Sequence, residues 1–162
     1  MSVTDVRKDM SNLTMTVVSH WDAPIDKVWQ LWADPRKLER WWGPPTYPAT
    51  VVEHDLQPGG RVSYFMTGPE GDRHDGWWRV ISVDEPKRLD LQDGFSDADG
   101  NPNDTMPTVS FTVTFDVLTP NRTGMTIETR FPSAEAMAQL TEMGMDEGMR
   151  TAMGQIDAIL AE

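Results

Sequence analysis

PIDKVWQLWADPRKLERWWGPP, residues 24–45, decides how this chain folds. It carries four of the seven tryptophans: Trp29, Trp32, Trp41 and Trp42. Ile25, Val28, Trp29 and Trp32 recur at i, i+3, i+4 and i+7, the spacing of one helix face. Pro24 suits a first helical turn, with Asp22 before it as the N-cap. Asp34-Pro35 repeats that start signal. A second short helix therefore follows and ends at Trp42-Gly43-Pro44-Pro45. Two short helices cannot bury this much aromatic surface between themselves, so a large concave partner must receive it.

The rest of the chain describes that partner. Residues 1–12 are polar and expected to fray, leaving one domain over residues 13–162. Leu13, Met15 and Val17 alternate with Thr14 and Thr16, as in a half-buried strand. Beyond the helix pair, Thr50-Val51-Val52 marks a second strand. Val62, Tyr64 and Met66 then alternate with Ser63 and Phe65. Residues 74–83 make a long strand through Trp77 and Trp78, and Leu89 and Leu91 mark a short one. Residues 93–107 are rich in Asp, Asn, Gly and Pro and read as an exposed loop. In the next strand Val109, Phe111, Val113, Phe115 and Val117 point one way. Met125, Ile127, Thr129 and Phe131 answer them, giving a hairpin with one wet and one dry face.

The chain ends in helix. Ser133 is a cap, Ala136, Met137 and Leu140 are apolar positions, and Gly144 interrupts. Met149, Ala152, Met153, Ile156, Ile159 and Leu160 then continue at helical spacing. The expected fold class is α+β. It has a curved antiparallel sheet of about six to seven strands, two short helices after the first strand, and a long C-terminal helix across the dry face. A bent sheet gripping one helix leaves space between them. Five of the eleven methionines fall within residues 137–153. Side chains this flexible and polarisable either fill a core or line a cavity for variable apolar shapes.

Composition narrows the function. There are 14 basic and 26 acidic residues, a net charge of −12, which repels phosphate backbones and anionic lipid. Nucleic acid and membrane are therefore not expected partners. No cysteine is present, which rules out disulfides and thiol nucleophiles and suits a cytoplasmic location. No stretch has the apolar length of a signal core or a membrane span.

Several short patterns occur together and in order. Asp22-Ala23-Pro24 precedes Val28-Trp29. Trp32-x-Asp34-Pro35, Leu38 and Trp41-Trp42-Gly43-Pro44 follow. Asp55-Leu56-x-Pro58-Gly59-Gly60, Pro69-x-Gly71, Val83-x-x-Pro86, Phe131-Pro132-Ser133 and Gly144-Met145-x-x-Gly148 complete the series. Over about residues 13–160 the chain thereby resembles the bacterial homologues of the activator of heat-shock-protein-90 ATPase. Those belong to the START-like (Bet v 1-like, polyketide-cyclase, SRPBCC) superfamily. The resemblance implies a helix-grip fold with a deep cavity between the sheet and the last helix. It implies no single activity, since superfamily members bind lipids, hormones or polyketides and some cyclise or dehydrate them. The eukaryotic activator carries a further chaperone-binding domain for which this chain has no room.

The ligand-lining candidates on the sheet are Tyr64, Met66, Trp78, Phe111, Val113, Met125 and Ile127. Met149 and Met153 face them from the helix. A Tyr hydroxyl or Trp N–H inside an apolar cavity needs a partner in the protein or in a ligand. Trp41 and Trp42 are read as plugs at the helix–sheet junction. His20, His54 and His74 show no metal-binding spacing, and no metal or cofactor is expected. By alternation Val52, His54 and Leu56 share a face, which makes His54 the one candidate base. Asp97-x-Asp99-x-Asn101 starts like a calcium loop, but Pro102 and Thr108 stand where Gly and Glu are needed. No nucleophile elbow or nucleotide loop is present.

These residues support three functions. The first is binding of a small apolar molecule in the sheet–helix cavity. The second is an enzyme of cyclase, dehydratase or hydrolase type on such a molecule, which requires acid–base groups within hydrogen-bond reach inside the cavity. The third is an interaction protein that stimulates a chaperone ATPase. An exposed strand edge would also allow a homodimer.

Overall fold

The computed structural model describes residues 2–97 and 99–162. The chain runs β1 (Ser2–Asp9), β2 (Thr14–Trp21), α1 (Ile25–Ala33), α2 (Pro35–Trp41), β3 (Ala49–His54), β4 (Arg61–Thr67) and β5 (Arg73–Asp84). It continues with β6 (Arg88–Phe95), β7 (Val109–Thr119), β8 (Arg122–Arg130), α3 (Ala134–Glu142), α4 (Met145–Met153) and α5 (Ile156–Leu160). The class is α+β, with a curved, wholly antiparallel sheet of eight strands in the order β1-β2-β8-β7-β6-β5-β4-β3.

The expected strand number rises to eight because the polar N-terminal segment does not fray. Ser2–Asp9 pairs with β2 along its whole length, with one bulge between Val3 and Asp5. Val3 and Val6 pack on the core, and Lys8 pairs with Asp146 of α4 at 2.7 Å. The segment is polar because a sheet-edge strand needs few apolar residues. Met1 lies outside the described residues. The two short helices consequently follow the second strand.

The tryptophan stretch forms the expected helix pair. Val28, Trp29, Leu31 and Trp32 are buried along α1, and Leu38 and Trp41 along α2. The first cap differs from the reading: Pro24 is the N-cap and makes no side-chain bond, while Asp22 faces Arg122 at 3.8 Å. The second cap is as read, with the Asp34 side chain accepting from the Arg36 N–H at 2.9 Å. Asp34→Ala leaves that N–H unpaired and should lower stability by about 1 kcal/mol. In a chain of this size that is roughly a 2–4 °C fall in Tm by calorimetry. An unchanged Tm would mean that the cap does not hold α2.

The sheet supplies the concave receiver. Met15, Val62, Trp78, Leu91, Phe111, Val113 and Ile127 are buried on the helix-facing side, against Trp29, Trp32 and Trp41. Alternation on the β7–β8 hairpin follows the expected wet and dry faces from Val109 to Phe115, but Val117 lies exposed beside the bulge near the turn rather than on the dry face. On the neighbouring β2, Trp21 Nε1 donates to Ser19 Oγ at 2.9 Å, and Ser19 Oγ donates to the Met125 carbonyl of β8 at 3.0 Å. That short chain satisfies polar groups the core would otherwise strand.

The C-terminal helix is not one rod. Gly144, at φ 85°, ends α3, because an L side chain is strained in that left-handed conformation. A second break at Gly154-Gln155 separates α4 from α5. Apolar spacing alone could not show this break, since the apolar face continues across it. Gln155 uses the break, donating from Nε2 to the Gly43 carbonyl at 2.7 Å. Lys27 bonds the carbonyl of Leu160, and Arg40 pairs with Glu162. These contacts seat the chain end on α1 and α2.

Candidate functional site

Two adjoining hollows form a cleft at one end of the seam between the sheet and α3–α4. One, of about 270 Å³, is lined by Met66, Asp93, Phe95, Val109, Leu140 and Met145, among others. Its neighbour, of about 210 Å³, adds Trp42, Tyr64, Phe111 and Met149 and shares Met66, Asp93, Phe95 and Met145. A hollow of about 420 Å³ around Arg61, Trp77 and Arg79 opens on the outer face of the sheet, away from the helices.

Among the described residues Asp93 is the one charged side chain lining the cleft. It lies on β6, in the inward register of Leu89 and Leu91, and pairs with Trp78 on β5 and Val109 on β7. The Tyr64 hydroxyl donates to its Oδ1 at 2.8 Å. Tyr64 is held by its own strand partner, Gly76. A Cβ at residue 76 would meet the end of the Tyr64 ring at 2.4 Å, so the ring lies where only glycine permits it. Trp42 stands edge-on to Trp78, Tyr64 and Phe111, with ring centroids at 4.8, 6.1 and 6.0 Å.

The indole N–H groups of Trp42 and Trp78 are buried and make no hydrogen bond of normal geometry. Both face the Tyr64 hydroxyl, and that of Trp78 also faces Asp93. Burial pushes the Asp93 carboxyl up to about 7, against the opposing pull of Tyr64 and Trp78. Burial, and next the Asp93 charge, push the Tyr64 hydroxyl well above its usual range. Asp93 is half-buried, and its exposure is to the cleft. Chemically this is an apolar slot with one carboxyl that changes charge near neutrality.

Tyr64, Met66, Phe111 and Met149 line the cleft together. Trp78, Val113, Met125, Ile127 and Met153 do not: they are buried in the packed core. Trp32 donates to the Met125 sulfur at 3.4 Å within that core. Trp41 is a plug as read, its Nε1 donating to the Leu31 carbonyl at 2.9 Å, whereas Trp42 both plugs and lines. His54 is not on a shared face with Val52. A bulge between Val51 and Glu53 turns Val52 outward, 67% exposed, and His54 Nε2 lies 2.9 Å from the Trp32 carbonyl, outside the cleft. His74 pairs with Asp72 at 3.0 Å. The Asp97 carboxylate accepts from the N–H groups of Asp99 and Asn101 and so closes its own turn; Ala98 lies outside the described residues. Among the described residues no three metal-ligating side chains converge.

Asp93 is missed because residues 93–107 read as an exposed loop, yet β6 runs on through Phe95. The signal was the period of two: Leu89, Leu91, Asp93 and Phe95 place an acid on the apolar register, which is the informative kind of exception.

An eight-stranded antiparallel sheet wrapped on a C-terminal helical segment, with a cleft along their seam, defines the α+β helix-grip class. The model of the family described as Activator of Hsp90 ATPase homolog 1-like protein matches residues 22–161, and the chain belongs to that family. Protein Ms6760 from Mycobacterium smegmatis is 48% identical, with a TM-score of 0.89 over 98% of this chain and 96% of its own. A protein from Arthrobacter aurescens is 46% identical, with a TM-score of 0.94 over 99% of this chain and 92% of its own. One from Staphylococcus epidermidis, 23% identical at a TM-score of 0.84 over 98% and 94% of the two chains, shares the fold. No match was found among functionally curated proteins. Among the described residues no helix is long and apolar enough to cross a membrane.

Proposed function

We propose that this protein binds a small, mostly apolar molecule carrying one polar group in the cleft between the sheet and α3–α4. The observation behind this reading is the lining: methionine and aromatic side chains around a single hydrogen-bonded Tyr64–Asp93 pair. Apolar walls with few placed polar groups are the usual form of a small-molecule site.

Gly148 provides the test. It lines the cleft within α4, and a Cβ there meets nothing within 4 Å. Gly148→Leu should fill the space while gaining helix propensity of about 0.8–1 kcal/mol. We expect the neutral naphthalene dye prodan to bind the parent with a rise in fluorescence. The variant should lose that binding and melt no lower than the parent. Equal binding by both would place the dye elsewhere and count against the cleft. Native mass spectrometry of gently purified protein should show a co-purified small molecule that the variant lacks.

A second reading rests on the same pair. A carboxyl titrating near 7 and hydrogen-bonded to Tyr64 is suited to proton transfer. If the protein is an enzyme, Asp93 is its acid–base group. A bound molecule would then change mass or isomer on incubation with the parent and not with Asp93→Asn. Chaperone stimulation has less behind it. The exposed large apolar side chains Met10, Val52, Ile81, Val117, Leu118 and Met143 are spread over three strands, a turn and a helix end.

A further inference from the structure

We infer that the polar group taken by this cleft is a protonated amine, seated on the Asp93 carboxylate with its apolar body along Met66, Val109, Leu140 and Met145. This rests on the cleft being a ligand site and names the class of ligand.

Three observations carry it. First, Asp93 has no cationic partner among the described residues. The residues facing it are Tyr64 from β4, Trp78 from β5, Val109 and Phe111 from β7, and Met145 and Met149 from α4. Tyr64 is the only other titratable group among them, and it satisfies one carboxylate oxygen. A carboxylate in apolar surroundings with no counter-charge is costly, and a ligand cation supplies what the protein withholds. Second, Trp42, Tyr64, Phe95 and Phe111 line the same hollow as Asp93. Aromatic rings beside a carboxylate suit an ammonium group, which their quadrupoles attract. Third, the chain carries a net charge of −12, so its field gathers cations and turns anions away. A neutral alcohol or ketone would use none of these, and a carboxylic acid would oppose all three.

The sign of the pH dependence follows. An alkylamine remains charged below about pH 9, so its binding selects the ionised form of Asp93. With the free carboxyl titrating at about 7, affinity should be flat above that value. Below it, affinity should fall by about tenfold per pH unit. A neutral congener should show the opposite trend or none.

The experiment titrates 2-(1-naphthyl)ethylamine and 2-(1-naphthyl)ethanol separately against the full chain, by heat or by amide NMR shifts, from pH 5.5 to 8.5. We expect the amine to bind at least about tenfold more tightly than the alcohol at pH 8. That preference should vanish by pH 5.5 and in Asp93→Asn. If the alcohol binds as tightly as the amine at pH 8, the amine assignment is wrong while the cleft remains a binding site. If neither binds, both readings fall. The pH series on the unaltered protein decides the question without the variant, should Asp93→Asn not fold.

Discussion

Trp32→Ala should be the most damaging single truncation in this chain, lowering stability by about 3–5 kcal/mol. Trp32 has no exposed surface and sits between Trp41, Trp42 and Trp78, with ring centroids at 4.9, 5.9 and 5.7 Å. Its indole N–H reaches the Met125 sulfur on β8, and its carbonyl bonds the His54 ring on β3. One residue of α1 thus contacts both halves of the sheet. Alanine leaves a cavity the size of an indole, and the rings around it are held by other contacts, so collapse is limited. Aromatic edge contacts add about 0.5–1.5 kcal/mol per pair to the area term, which places the loss near the top of the range. A domain of this size has only about 5–15 kcal/mol in reserve. Urea unfolding should show the loss directly, with Tm falling by roughly 10 °C. Trp77→Ala is the control. That ring lies half-buried on the outer face, its N–H donating to the Phe95 carbonyl at 3.0 Å, and its loss should be far smaller. A penalty at Trp32 no larger than at Trp77 would mean that the helix pair does not organise the core.

The same residues show what a sequence can reveal. Helical spacing of Val28, Trp29 and Trp32 is a local property, and so is the period of two along Val109 to Phe115. Both survive folding because each element needs one dry face. The N-terminal strand and the break at Gly154 depend instead on tertiary partners. Polar β1 is ordered by the edge of β2 and by Asp146 of α4, and nothing in its own composition announces either. The cleft was legible in part. Tyr64, Met66 and Phe111 point inward by strand alternation and Met149 by helical spacing, yet so do Val113, Ile127 and Met153, which fill the core. Periodicity assigns a side chain to a face but not to a position along the seam, where packing alone decides between a wall and a filler.

Asp93→Asn should make the protein more stable at pH 8 and leave it nearly unchanged at pH 4. The native carboxyl titrates at about 7, whereas an unfolded Asp titrates near 3.9. Between those values the native state holds a proton that the unfolded state lacks. Stability therefore falls as pH rises from about 4 to about 7, by an amount bounded at about 4 kcal/mol. Water entering the half-open cleft reduces that figure. Asparagine cannot ionise and still offers Tyr64 an acceptor oxygen, so the penalty disappears and the Tyr64 bond stays. Other carboxylates respond in the opposite sense. Hydrogen bonds from Arg88, Lys8 and Arg40 hold Asp90, Asp146 and Glu162 below their usual values, and their contribution is lost as pH falls through the folded-state values. Those losses occur equally in parent and variant, so the difference between two urea-unfolding series isolates Asp93. The expected difference curve is flat near pH 4, rises towards pH 7 and levels off above it. Superimposable curves would show that Asp93 titrates like an exposed acid and would remove the physical basis for its role in the cleft. A residue whose replacement stabilises the fold is one that folding does not require, so the expected difference curve would support the proposal that a ligand supplies the charge Asp93 lacks.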